Sequence, residues 1–562
     1  RYTNESLEEF LKDNQLISTT GVDGSHITYD NNMLYKNVKV PYAADYADGD
    51  LDVSPLSSNH GTHVAGTIAG FASTEEGEVK FSGVAPDAQI LAMKVFPDED
   101  GGAQEGVLIN ALEDSLRLGA DMINLSLGSD NGFADDDSMQ KELYKRVNDA
   151  GIVLMTAAGN SEKSSDNNNY GGNNLTSNPD ESMMSSPAIY ESNLSVASID
   201  NTIAVQPYLS WKDEDGVEHN VYYNNPSSGA LKANFDGNEE YPIYAVGGVG
   251  TYDDYAKVGF NNGYNNGKTG FALVKRGEIS FADKINNALS FSGVNSQNEP
   301  YGVLGVIVYD NDPNGTSLIT MSTDGAAMSS AFISGKDGAT IVEALEKGYE
   351  VKIKIYKEDA TIDNSTAGQM SSFTSWGSGQ ALELKPEITA PGGNIWSTVA
   401  GGATAGGEVY IGSYAMMSGT SMATPHMSGI GLLVREYINK QTAFEGISSK
   451  EVSDLVSQLL VSTAVPQKDE NGVYYSPRQQ GSGLVNTDAA MTTPAYITVD
   501  GQTVGKLELG DDPEKTGVYD INFNLNNMSD DELKYNVEVV LMRPDTTIVE
   551  SAWGKREVIA DN

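Results

Sequence analysis

Apolar residues recur along this chain with two different periods, and the change of period marks its organisation. Residues 89–96 (QILAMKVF) form the short apolar run of a buried strand. Residues 105–118 place Val107, Leu108, Ala111, Leu112 and Leu116 at helical spacing, and 121–127 (DMINLSL) return to a strand. A helix over 138–148 and a strand over 152–157 continue the alternation. Strand, helix, strand, helix, strand predicts an α/β fold with a parallel sheet and helices on its faces.

Between about 196 and 370 the texture changes to Gly-, Asn- and Asp-rich connections around short strands. Residues 271–275 (FALVK), 302–309 (GVLGVIVY) and 351–356 (VKIKIY) are strand-like, and short helices are expected near 281–289 and 341–345. This stretch reads as a β-rich module inserted into the first. The division is therefore 1–195 and 371–492 for the α/β part, 196–370 for the insert and 493–562 for a last module. In that last module 520–525 (DINFNL) and 535–541 (YNVEVVL) read as strands opening a β-sandwich. The Asn-rich patch at 166–174 reads as a loop, and no internal repeat is present.

A length of 562 residues allows several cores. The 79 acidic and 35 basic residues leave a formal charge of −44, which repels nucleic acid and anionic membrane surfaces. The acidity is spread along the chain, so it describes a solvated surface rather than a binding tail. With no cysteine, disulfides, thiolate metal sites and a cysteine nucleophile are excluded. No run approaches the roughly 20 apolar residues of a membrane helix, so no membrane insertion is expected within these residues. The start, Arg1-Tyr2-Thr3-Asn4, is expected to lie inside a longer precursor or to follow processing. Oligomeric state is not legible.

Three strings carry chemistry. Asn59-His60-Gly61-Thr62-His63-Val64-Ala65-Gly66-Thr67 puts a histidine at the start of a small-residue helix, where an imidazole can be held as a general base. Taken alone, His60 is equally a core histidine, and His63 reads as one. Zinc is disfavoured, because the histidines stand three apart with no intervening glutamate. Ser418-Gly419-Thr420-Ser421-Met422-Ala423-Thr424-Pro425-His426 offers a sharp turn and a helix whose positive end faces Ser421, a nucleophile in this reading. Simple capping is the plainer explanation of a bare GTS. Thr156-Ala157-Ala158-Gly159-Asn160-Ser161 follows a strand, and an asparagine amide there can donate to an oxyanion.

Together these strings resemble the subtilisin family of serine peptidases, in the family's own order. Residues 83–88 (GVAPDA), 123–128 (INLSLG) and 385–392 (KPEITAPG) match further family motifs. The resemblance implies a subtilisin-like parallel sheet with helices on both faces. It also implies catalytic roles for His60, Ser421 and Asn160, with the Ser421 amide joining Asn160 in the oxyanion hole. Ser126, Leu127 and Gly128 are implied as an edge strand that pairs with the substrate backbone. More narrowly, 272–277, 331–334, 373–377 and 476–481 resemble cell-envelope peptidases of Gram-positive bacteria. That likeness implies a protease-associated domain as the insert, the start of a fibronectin-like β-sandwich after 493, and a secreted or surface-attached protein acting on proteins or peptides. The chemistry requires no cofactor. Structural calcium is implied by the family, but no metal ligands are identified, since Asp48, Asp50 and Asp52 lack the later glycine and glutamate of an EF-hand.

The family's triad also needs an aspartate at the end of an apolar strand ahead of the histidine. Asp23, Asp30, Asp45, Asp48, Asp50 and Asp52 lie in polar, turn-rich sequence, so the aspartate is expected upstream of Arg1. Without it the activity of these residues falls by roughly 10⁴-fold. The expected function is a serine endopeptidase cleaving extracellular proteins. The alternatives are an inactive adhesin or host-protein-binding scaffold on the same fold, and a selective processing protease.

Overall fold

A computed structural model describes the chain except residues 21–33, 55–57, 99–101, 135–137, 165–181, 226–230, 232–233, 236, 238, 264–266, 317, 320, 322, 324–327, 380–381, 401, 404–408, 411–412, 510–511, 544–545, 552–553 and 560–562. Asp23, Asp30 and the patch at 166–174 lie outside the described residues. The chain divides into two compact units, Arg1–Thr202 with Asn364–Asn562, and Ile203–Asp363.

The first unit begins with α1 (Asn4–Asp13), which Thr3 caps, and a buried strand β1 (Tyr42–Asp45). Then come α2 (His60–Ala69), β2 (Leu91–Lys94), α3 (Glu105–Arg117), β3 (Met122–Leu125), α4 (Met139–Asp149), β4 (Val153–Ala157) and β5 (Leu194–Asp200). After the insert follow β6 (Ile388–Gly393), the antiparallel pair β7 (Ile395–Val399) and β8 (Ser413–Met417), α5 (Thr420–Lys440) and α6 (Ser449–Thr463). The predicted alternation over 89–157 is present as β2, α3, β3, α4 and β4, each within a few residues of its expected bounds.

Strands β6, β5, β4 and β3 form one parallel sheet in that order. Strand β4 is buried throughout because it is covered twice. Val153 and Met155 pack with Met427, Ile430 and Val434 of α5, whereas Leu154 packs with Leu112 of α3 and Leu143 and Val147 of α4. A period of two along β4 meets a period near 3.6 on each helix, which explains the continuous apolar run. Strands β1 and β2 form a separate parallel pair, with Tyr42 opposite Leu91 and Asp45 opposite Lys94.

The second unit is β-rich. Strands Gly270–Lys275, Glu240–Ala245, Lys352–Ile355, Tyr208–Lys212, Glu218–Asn224, Ser330–Ile333 and Pro300–Tyr309 follow one another, and the last pairs back onto the first. The sheet closes on itself, so these strands leave no long edge open. Leu209, Trp211, Phe271, Ile307 and Ile353 share one apolar cluster, while Ile285 and Ala288 of helix Phe281–Leu289 belong to a second. The unit's first and last strands, Ile203–Gln206 and Ala360–Asp363, pair antiparallel with Ile203 opposite Asp363. The insert therefore spans 203–363 rather than 196–370, since 196–200 belong to β5, between β4 and β6.

Of the two strands expected in the last segment, 520–525 is met only at its end and 535–541 is not met. Asn524–Asn527 pairs with Ala495–Thr498, but 520–523 and 535–541 join no ladder among the described residues. Val537, Val539 and Leu541 are 81%, 84% and 92% exposed. Their alternation is real, yet among the described residues no second sheet buries the apolar side.

Candidate active site

Ser421 stands in the first turn of α5. The turn before it is tied to β6, because Gly419 donates its N–H to the Gly392 carbonyl at 2.9 Å. A helix leaves its first N–H groups without intrahelical acceptors, so the Ser421 N–H is available as a donor. The Ser421 Oγ donates to the Ser126 carbonyl at 3.4 Å, and the Ser126 hydroxyl donates to the Ser421 carbonyl at 2.8 Å.

Asn160 follows β4 through Ala158 and Gly159. Gly159 has φ of 115°, and a Cβ there would come 2.6 Å from the Ser375 hydroxyl, so both backbone and space demand glycine. The Asn160 Oδ1 accepts from the Thr420 N–H and from the Thr420 hydroxyl, each at 2.9 Å. A backbone N–H can only donate, so this pair fixes the amide flip and turns Nδ2 outward as a donor. The buried Thr420 hydroxyl also accepts from the Gly159 N–H at 3.2 Å. Thr420 thus holds the Asn160 amide in place, a contact the sequence signals only through its position inside the GTS string.

His60 begins α2, as the sequence predicts. The helix is fastened from below. Thr398 and Ser397 of β7 donate their hydroxyls to the Thr62 and His63 carbonyls at 2.9 and 2.8 Å. His63 is fully buried and lies 3.1 Å from the Ile395 and Ala415 carbonyls, which makes it the core histidine expected. The His60 imidazole, by contrast, has no hydrogen bond or ion pair among the described residues. Burial lowers its pKa below the usual histidine value and, among the described residues, no carboxylate opposes that, so the neutral base is favoured.

His60, Asn160, Ser126, Leu127, Gly128, Thr420 and Ser421 all line one cavity of about 1920 Å³. Its walls include Leu91–Lys94, the whole of β2, and Met122–Leu125, the whole of β3. Neither strand has a ladder partner on that side among the described residues. Leu108, Ala111, Leu112 and Ser115 of α3 also reach it.

The aspartates need one correction. Asp45 does end a buried strand, contrary to the polar reading of its surroundings, and its side chain is fully buried. Its carboxylate is occupied by Lys94 and by the Ala47 and Asp48 N–H groups, not by His60. Asp45, Asp48 and Asp98 are grouped as metal ligands would be. The Lys94 ammonium already stands among them, 2.8 Å from Asp48 and 3.0 Å from Asp98. Desolvation opposes the Lys94 charge, but its hydrogen bonds to three carboxylates outweigh it and raise the lysine pKa. The Lys94 ammonium thus occupies the centre of the group, and a metal ion there would have to displace it.

Residues 17–483 match the model of the Subtilase family. The chain is 31% identical over 477 residues to a PII-type proteinase of Lactococcus lactis subsp. cremoris, covering 81% of this chain and 23% of that protein. It is 30% identical over 544 residues to a C5a peptidase of Streptococcus pyogenes serotype M3, covering 94% of this chain and 42% of that protein. The chain thus spans about a quarter of the first relative's length and under half of the second's.

Proposed function

Because the chain belongs to the subtilase family, we propose that it is a serine endopeptidase that hydrolyses peptide bonds of extracellular proteins through an acyl-enzyme on Ser421. The observation that carries this reading is the meeting of a nucleophile, a neutral imidazole and two oxyanion donors on one cavity. Ser421 Oγ attacks the scissile carbonyl carbon while His60 accepts its proton. The Ser421 N–H and Asn160 Nδ2 hydrogen-bond the oxyanion. His60 then protonates the leaving amine, and water repeats the sequence on the ester. The backbone of Ser126, Leu127 and Gly128 aligns the substrate as an added strand.

The reading assigns the third triad member to a strand lying between β2 and β3, supplied by residues preceding Arg1. Support comes from the two parallel-sheet edges on one cavity and the His60 ring, all without partners among the described residues, and from the cavity's apolar lining by Leu91, Met93, Leu108, Leu112 and Ile123. The insert is read as a protease-associated domain and the location as the surface or surroundings of a Gram-positive cell, in keeping with the relatives in Lactococcus and Streptococcus.

Labelling by a serine-directed fluorophosphonate tests the reading on the chain extended N-terminally by its native sequence. Label on wild type that is lost in Ser421→Ala supports the peptidase. An extended chain that takes no label supports the second reading, an inactive adhesin or binding scaffold, which the lone His60 ring favours.

A further inference from the structure

In α5 each carbonyl is expected to accept from the N–H four residues on. Pro425 lies inside this helix and has no N–H, so the Ser421 carbonyl is denied its intrahelical partner by the proline four residues later. The carbonyl in question belongs to the nucleophile itself. Its acceptor capacity is taken up from outside the helix, by the buried Ser126 hydroxyl at 2.8 Å.

That hydroxyl is held in turn. Asn124 Nδ2 donates to Ser126 Oγ at 3.0 Å, and the Ser428 hydroxyl donates to Asn124 Oδ1 at 2.9 Å. Ser428 lies on α5, two turns beyond Ser421, so the bonds run from the helix to the end of β3 and back to the helix. Each donor in this circuit has a defined acceptor, which leaves Ser126 Oγ one productive direction.

We infer that Ser126 is a positioning residue for the nucleophile, its hydroxyl clamping the Ser421 carbonyl that Pro425 leaves without a helical donor. The inference rests on the reading of Ser421 as nucleophile. A bond from either donor, the Ser126 hydroxyl or a helical N–H, fixes the Ser421 carbonyl and with it the peptide plane that carries the nucleophile. The bond from Ser126 holds it relative to the segment whose backbone aligns the substrate, so attacking atom and scissile carbonyl share one reference. Reactive geometry tolerates errors of only about 0.5 Å, which is the scale such a clamp controls.

The test is a cycle in the natively extended enzyme, measuring kcat and KM on a peptide substrate for wild type, Ser126→Ala, Pro425→Ala and the double variant, with fluorophosphonate labelling of wild type alongside. Ser126→Ala keeps the backbone that meets substrate, so KM stays within about twofold while kcat falls about tenfold, the loss of one hydrogen bond. Pro425→Ala supplies an N–H at the helical position, so the double variant recovers most of the lost kcat. A merely structural serine would give no such rescue, since removing a second side chain would add to the damage. An unchanged kcat in Ser126→Ala, or a double variant no faster than Ser126→Ala, overturns the clamp while leaving the peptidase reading intact. Wild type that takes no label on Ser421 overturns both.

Discussion

The two sides of the cavity are built differently. On one side Ser421, Thr420, Asn160 and Gly159 are bonded to one another across α5 and the end of β4, and Ser126 closes the arrangement from β3. On the other, α2 is well anchored through its backbone and through His63, yet the His60 ring itself bonds to nothing among the described residues. Asn160 follows β4, which has a paired strand on each side. The base side faces edges of β2 and β3 that have no ladder partner there among the described residues. A catalytic centre can thus be preorganised in parts, each as good as the sheet beneath it.

The deepest cut across this contrast is Ser421→Ala in the natively extended chain, expected to lower peptide hydrolysis by about 10⁶-fold. Comparing the present chain with the extended one probes the base side alone. Fluorophosphonate labelling should be about 10⁴-fold slower without the added carboxylate, and equal rates would show that His60 needs no partner. The acid limb of the labelling profile should also move. It should lie below the usual histidine range, near 6.5, in the present chain and rise on extension, because a carboxylate favours the imidazolium.

On the oxyanion side, Asn160→Ala should cost about 10²- to 10³-fold in kcat with little change in KM. Thr420→Val keeps the N–H but removes the hydroxyl that steadies the amide, and a loss of about tenfold in kcat is expected. The smallest effect is on stability. Burial depresses the pKa of His60, His63 and His426, so below the ordinary value near 6.5 the unfolded chain binds more protons. Their contribution is present above that pH and is lost as pH falls through the folded values. Urea midpoints should decline between pH 7 and 5, and a flat profile would show that these rings titrate alike in the folded and unfolded chain.

What could be read beforehand follows the same division. β4 announces itself because two helices cover it, and the strings around His60, Asn160 and Ser421 are contiguous in sequence. The short β1 is hidden by polar flanks, so Asp45 reads as a turn residue although its strand is buried. The Thr420–Asn160 and Ser126–Ser421 bonds join residues far apart in the chain, and no period or propensity reports such pairs. Residues 535–541 show the converse, a clear alternation that forms no ladder among the described residues, because a strand also needs neighbours.

The pairing of Ile203 with Asp363 has an evolutionary consequence. A segment whose entrance and exit are neighbouring residues of one short ladder can be gained, lost or exchanged by a single genetic event without lengthening the connection its host must make. Thr202 and Asn364, joined by a 3.0 Å hydrogen bond, are the natural crossover points for such recombination. Lineages could trade this cassette wholesale while the residues on either side descend undisturbed.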